Sequence, residues 1–176
     1  MSFVFRNLSQ RTRGLMLEEV EFDIEKNTLY MSDRLTPSGK VRYPQLLQAA
    51  VEVGDPESLA NGLREHFNPT EQRRKPSGGY TTAKIPSNAP ELLAEGEFNR
   101  FYIRALCRLV LEEGIGELKV YRAKEVSNPR PESMARIGLI LPARALLSDL
   151  RSNPGVDSAL GVPTGPNSGL SVELVR

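Results

Sequence analysis

The chain has 176 residues, 39% of them apolar, and its 23 basic residues nearly balance 22 acidic ones, for a formal net charge of +1. A chain of this length can bury a core without disulfides or metals, and near-neutrality excludes the global cationic field behind non-specific nucleic-acid binding, so any such contact has to be local. A single cysteine and a single histidine rule out an internal disulfide and a Cys/His zinc centre, and argue against Ser-His-Asp or Cys-His catalysis.

The N-terminal MSFVFRNLSQRTRG lacks the apolar run of a secretory signal, and no stretch is long and apolar enough to span a membrane. A cytoplasmic location, or a place in an intracellularly assembled particle, is expected. From Leu8 to Ile24 two periods compete. Met16, Val20 and Ile24 recur every four residues as on a helix, while Val20, Phe22 and Ile24 alternate with acids as on a strand. The helical reading, capped by Ser9 and ending in the low twenties, is preferred. Thr28 to Met31 reads as extended, and DRLTPSGK as a turn. A helical corner is expected over 44–67: Pro44 opens one helix, Gly54 ends it, and Asp55-Pro56 caps and starts the next. A DNA-binding helix-turn-helix has this shape and would offer Asn61, Arg64 and His66 to a groove, but Glu57 and Glu65 on the same helix oppose it.

NPTEQRRKPSGG reads as a mobile loop at 68–79 in which Arg73, Arg74 and Lys75 form a partner- or phosphate-contacting cluster. Its Gly78-Gly79 pair lacks the spacing of a nucleotide-binding loop. YTTAKI supplies a strand near 80–85.

The strongest pattern is a helix at about 89–113, started by Asn88 and Pro90 and stopped by Gly114. Glu97, Arg100, Arg104, Arg108 and Glu112 step by three or four and form one stripe, while the remaining surface is mostly apolar. The helix is therefore expected in the core with that stripe as its exposed edge. Two counterparts for the stripe stay open: an acidic protein partner, or the chain's own Glu18, Glu19 and Glu21. Cys107 lies on an apolar line and is expected to be a buried thiol. Asn99 lies on one too and needs a hydrogen-bond partner, for which the Asn128–Arg136 loop is the candidate.

Further strands near 117–126, 137–141 and 169–175 complete a small mixed sheet, a helix spans about Pro142 to Arg151, and 152–168 reads as a second mobile loop. Glu117-Leu118-Lys119 resembles the Glu-x-Lys part of metal-dependent nuclease cores, but that chemistry needs an upstream acid on a neighbouring strand to share Mg²⁺, and a helix precedes it. Tyr121-Arg122 resembles the dinucleotide-binding strand of ADP-ribosyltransferases, which would imply Arg122 on a phosphate and Glu173 as the later acid. The intervening chain, about fifty residues, is too short for that fold's strands, so the family is not assigned. Arg122, Lys124 and Arg130, with Asn167 and Ser168 of the Gly/Ser-rich segment, form a candidate anion site.

These patterns describe one α+β domain over 1–176, with no cofactor, no metal site and no catalytic set. The expected function is a non-enzymatic interaction or assembly protein. It would form a homo-oligomer through the stripe (Arg100, Arg104, Arg108), the basic loop (Arg73, Arg74, Lys75) and the C-terminal strand. The alternative is a small enzyme or binder of a phosphorylated or nucleic-acid ligand, acting through Arg122, Lys124, Arg130 and the C-terminal Gly/Ser loop. No membrane partner is expected.

Overall fold

Ser9 sets the first helix: its hydroxyl accepts from the Thr12 N–H, satisfying one of the donors that every helix start leaves free. In the computed structural model, which describes residues 2–155 and 168–175, α1 spans Gln10–Glu25. The helical period prevails because Met16 and Val20 are fully buried, while Phe22 and Ile24 stay exposed. Residues 28–31 belong to no strand.

α2 (Pro37–Val53) begins at Pro37, not Pro44, so the turn expected over DRLTPSGK is the helix's cap and first turn. The Thr36 hydroxyl accepts from the Gly39 N–H at 3.0 Å, and a proline in first position loses no bond. Pro44 sits inside the helix, where it forgoes one backbone hydrogen bond. α3 (Pro56–Leu63) starts with the expected Asp55, in a reciprocal capping box with Ser58, and a 3-10 turn at Arg64–His66 ends the corner.

β1 (Thr70–Arg74) pairs antiparallel with β2 (Tyr80–Lys84), so the first half of the expected 68–79 loop is a strand. Its sequence, TEQRR, offers no apolar alternation to read because both faces of the ribbon are largely exposed. Gly78 and Gly79, with φ of +90° and +76°, close the tip in the left-handed region that glycine alone occupies cheaply.

α4 (Ala89–Glu112) is the central helix, and Phe98, Phe101, Tyr102 and Leu106 on it are fully buried. Pro90 stands in its first turn, but Asn88 makes no side-chain cap, because its backbone lies outside the extended region that capping requires. Gly114 takes φ +73° just after the helix. Cys107 is buried, and that burial pushes its thiol up to about 12, so it is not a thiolate nucleophile at neutral pH.

β3 (Glu117–Arg122) lies between β4 (Ile140–Pro142) and β5 (Leu170–Leu174), all antiparallel. Two separate antiparallel sheets thus replace the single mixed sheet expected, since β2 pairs with its sequence neighbour β1 instead of joining β3. β3 stops at Arg122 because the Ala123 and Lys124 N–H groups turn onto the Gly169 carbonyl. A single helical turn, α5 (Pro131–Met134), occupies the loop before β4. α6 (Ala143–Ser152) buries Leu146, Leu147 and Leu150 in the core it shares with α4. The result is a compact α+β fold in which α1, α3, α6 and the three-stranded sheet surround α4.

An N-terminal arm completes the cover. Phe5 packs on Phe98 and Tyr102, with ring centroids 5.1 and 4.8 Å away, and the Tyr121 hydroxyl donates to the Val4 carbonyl at 2.6 Å. Among the described residues, no helix is long and apolar enough to cross a membrane.

Candidate functional site

The arginine stripe of α4 is mostly internal. Arg104 is 1% exposed and forks onto the chain's own acids, with Nη1 2.6 Å from Asp23 Oδ2, Nη2 2.8 Å from Asp23 Oδ1 and Nε 2.8 Å from Glu19 Oε2. Arg151 of α6 and Arg108 also reach Glu19, so this one carboxylate joins α1, α4 and α6. Burial alone would raise the Glu19 carboxyl, but the hydrogen bonds and charges of Arg151 and Arg104 outweigh it and hold the group below its ordinary range. Arg100 is likewise buried, bonded to Glu97 and to the Leu150 and Asn153 carbonyls. Arg100 and Arg104 therefore leave no surface for a partner, which corrects the expected exposed edge; Arg108, paired with the exposed Glu18, is the stripe's arginine nearest solvent, beside the exposed Glu112. The legible signal was the order Met16, Glu19, Val20, Asp23. Its i, i+3, i+4, i+7 steps place two acids in the buried stripe of α1, where they need a cation.

Beside Arg100 opens a cleft of about 520 Å³ with Glu97 and Asn99 in its wall, bordered by Arg34, Phe3, Gly155 and Ser168. Asn99 donates to the Leu170 carbonyl at 2.9 Å, so it anchors the start of β5 and not the 128–136 loop. Its Oδ1 and Glu97 Oε2 have no hydrogen-bond partner among the described residues. Burial pushes the Glu97 carboxyl above its ordinary range, and the Arg100 charge offsets this only in part. A carboxyl raised in the folded state contributes stability below its unfolded pKa and loses it as pH rises through the folded value. Glu97→Gln should therefore gain stability relative to wild type as pH rises above the ordinary carboxylate range in parallel thermal melts, and a pH-independent difference would contradict this.

The candidate anion segment converges in part. Arg122 Nη1 donates to the Ser168 carbonyl at 2.9 Å and Nη2 to the Ser133 hydroxyl at 3.3 Å, while that hydroxyl donates to the Arg130 carbonyl at 2.8 Å. Lys124 is held 2.6 Å from both oxygens of Glu95, so its charge is already matched. Asn167 lies outside the described residues, as does most of the 152–168 loop. Two of the five thus meet directly, Arg130 joins through its backbone, and Lys124 faces elsewhere. Arg64, one of the residues a DNA-reading helix would present, is bonded to Glu91 of α4 at 2.6 Å.

Arg73 and Arg74 stand on β1 and Lys75 at the hairpin tip, all exposed. Arg73 reaches Glu71 at 2.7 Å, and Arg34 grips the same carboxylate at 2.6 Å. The C-terminal strand is used within the chain. β5 pairs with β3, and the Leu174 N–H and Leu170 carbonyl are taken by Asn7 and Asn99. Among the described residues no group of three or more His, Cys, Asp or Glu could hold a metal ion. Comparison with protein-family models, curated proteins and solved structures finds no match to this chain.

Proposed function

We propose that the chain is a protein-interaction module that self-associates through an aliphatic patch on and beside β4. The supporting observation is a run of large apolar side chains in one short segment, with Met134, Ile137, Leu139 and Ile140 exposed at 51%, 41%, 40% and 45%. Ile115, at the turn before β3, is 50% exposed, and the bond from the Ala143 N–H to the Gly116 carbonyl holds that turn beside the end of β4. Large apolar side chains left exposed together near the edge of a sheet are costly in water and are characteristic of a contact surface. β4 spans three residues and ends in Pro142, which has no N–H, so the association runs through side chains more than through added strand pairing.

This reading moves the interface away from the stripe and the C-terminal strand, both engaged internally, and keeps the assembly role. Size-exclusion chromatography with light scattering should show a mass above the monomer that falls on dilution. Ile140→Glu should return the protein to a monomer whose thermal melt matches that of wild type diluted to its monomeric state, because that side chain lies outside the core. A wild type that stays strictly monomeric at the highest accessible concentration contradicts the proposal.

A further inference from the structure

We propose that the β1–β2 ribbon is a docking element for double-stranded DNA, entering the major groove with its outward face. Directly opposed residues of an antiparallel pair share a face. Thr70 with Lys84, Gln72 with Thr82, and Arg74 with Tyr80 therefore lie on one side, where every residue is exposed. The Gln72 amide donates to the Thr82 hydroxyl across the strands at 2.9 Å. Glu71 with Ala83 and Arg73 with Thr81 lie on the other side, where Glu71 and Ala83 are half-buried.

This sorting separates the charges. The ribbon's one acid, Glu71, is on the inner side and is matched by both Arg34 and Arg73. The outer side carries Arg74 and Lys84 without a carboxylate, Lys75 follows at the tip, and none of the three has an ion pair among the described residues. Around them stand hydrogen-bonding groups: Thr70, Gln72, Thr82 and the Tyr80 phenol. Such a face offers cations for phosphates and amide and hydroxyl groups for base edges. Tyr80 is its one large apolar group, whereas a protein-binding face draws on several apolar anchors.

The shape fits the same occupant. The base is fastened by the Arg34–Glu71 fork, the Leu35–Phe67 bridge and the bond from the Ile85 N–H to the Pro69 carbonyl. Beyond it, strands of five residues give a reach of roughly 17 Å at ~3.4 Å per residue. A two-stranded ribbon is an element that a major groove about 12 Å wide admits. With a net charge of only +1 the chain adds no general attraction, so binding is local and strongly salt-sensitive.

The test is fluorescence anisotropy with a labelled mixed-sequence DNA duplex of about 20 base pairs, titrated at several salt concentrations. Wild type should bind with log affinity falling against log salt at a slope of about −3, since each of three cations contributes about −0.9. Arg74→Glu/Lys84→Glu should lose at least about tenfold in affinity, with an unchanged melt because neither side chain is buried. Lys26→Glu, at an exposed site on the end of α1, should bind as wild type does. Absence of salt-sensitive binding, equal losses in the ribbon variant and the Lys26 control, or tighter binding of heparin or a single strand than of the duplex would each overturn the proposal.

Discussion

Arg104→Ala should cost about 3–5 kcal/mol of folding stability, because it leaves the carboxylates of Glu19 and Asp23 buried without the guanidinium they share. Asp23 and Glu19 are 4% and 1% exposed, so water cannot replace the lost donors. In a chain of this size such a loss lowers the melting temperature by on the order of 10 °C. Arg151 and Arg108 would still reach Glu19, but the Asp23 carboxylate has its guanidinium contact only from Arg104 among the described ion pairs. Acid moderates the loss. The Glu19 carboxyl is held below its ordinary range, so its stabilisation is present above the unfolded pKa and disappears as pH falls through the folded one. The gap between wild type and Arg104→Ala should therefore narrow in acidic melts. Arg108→Ala is the internal control: Glu18 and Glu112 are largely exposed, and its third partner, the buried Glu19, keeps Arg104 and Arg151, so the loss should stay at about 0–1 kcal/mol.

Phe101→Ala should cost a comparable amount, about 3–5 kcal/mol, through a cavity at the centre of the core. The ring is fully buried, and it also lies under the Arg104 guanidinium, 4.9 Å from centroid to Cζ. Urea unfolding should show a lower midpoint with the slope unchanged, since the folded and unfolded surfaces are otherwise the same. Because the ring and the guanidinium touch, the double variant should deviate from additivity by about 0.5–3 kcal/mol. Val53→Ala, at a site 82% exposed, should stay within about 0.5 kcal/mol of wild type.

The helices were legible because their signals are local. Ser9 and Asp55 cap as read, Gly114 stops α4, and the leucines of α6 point inward. Thr36-Pro37 carried an equally good start signal, but Pro44 and the Gly39 turn pattern masked it. The ribbon was hidden for a different reason: strand reading relies on one buried face, and TEQRR has none. The N-terminal arm was missed because its contacts, such as Tyr121 to Val4, join residues more than a hundred positions apart. The same holds for the stripe. Its spacing was clear, but whether Arg104 met solvent, a partner or α1 depended on how the helices pack: of the acids read as internal counterparts, Glu18 and Glu19 pair with the stripe, Glu21 has no ion pair with it among the described residues, and Asp23 was not among those read.

These assignments divide the arginines by role. Arg104, Arg100 and Arg151 hold helices together, Arg34 and Arg73 fix the base of the ribbon, and Arg74 with Lys84 is left facing solvent. The proposed contact surfaces thus lie on peripheral elements whose substitution spares the core, and each can be altered without disturbing the other.

Hydrogen–deuterium exchange across a protein-concentration series tests the assembly role most directly. Amides of residues 134–140 should become protected as concentration rises, while those of 70–84 and of α4 keep their rates. Concentration-independent exchange at 134–140, or protection gained only at the ribbon or the C-terminal strand, would contradict it.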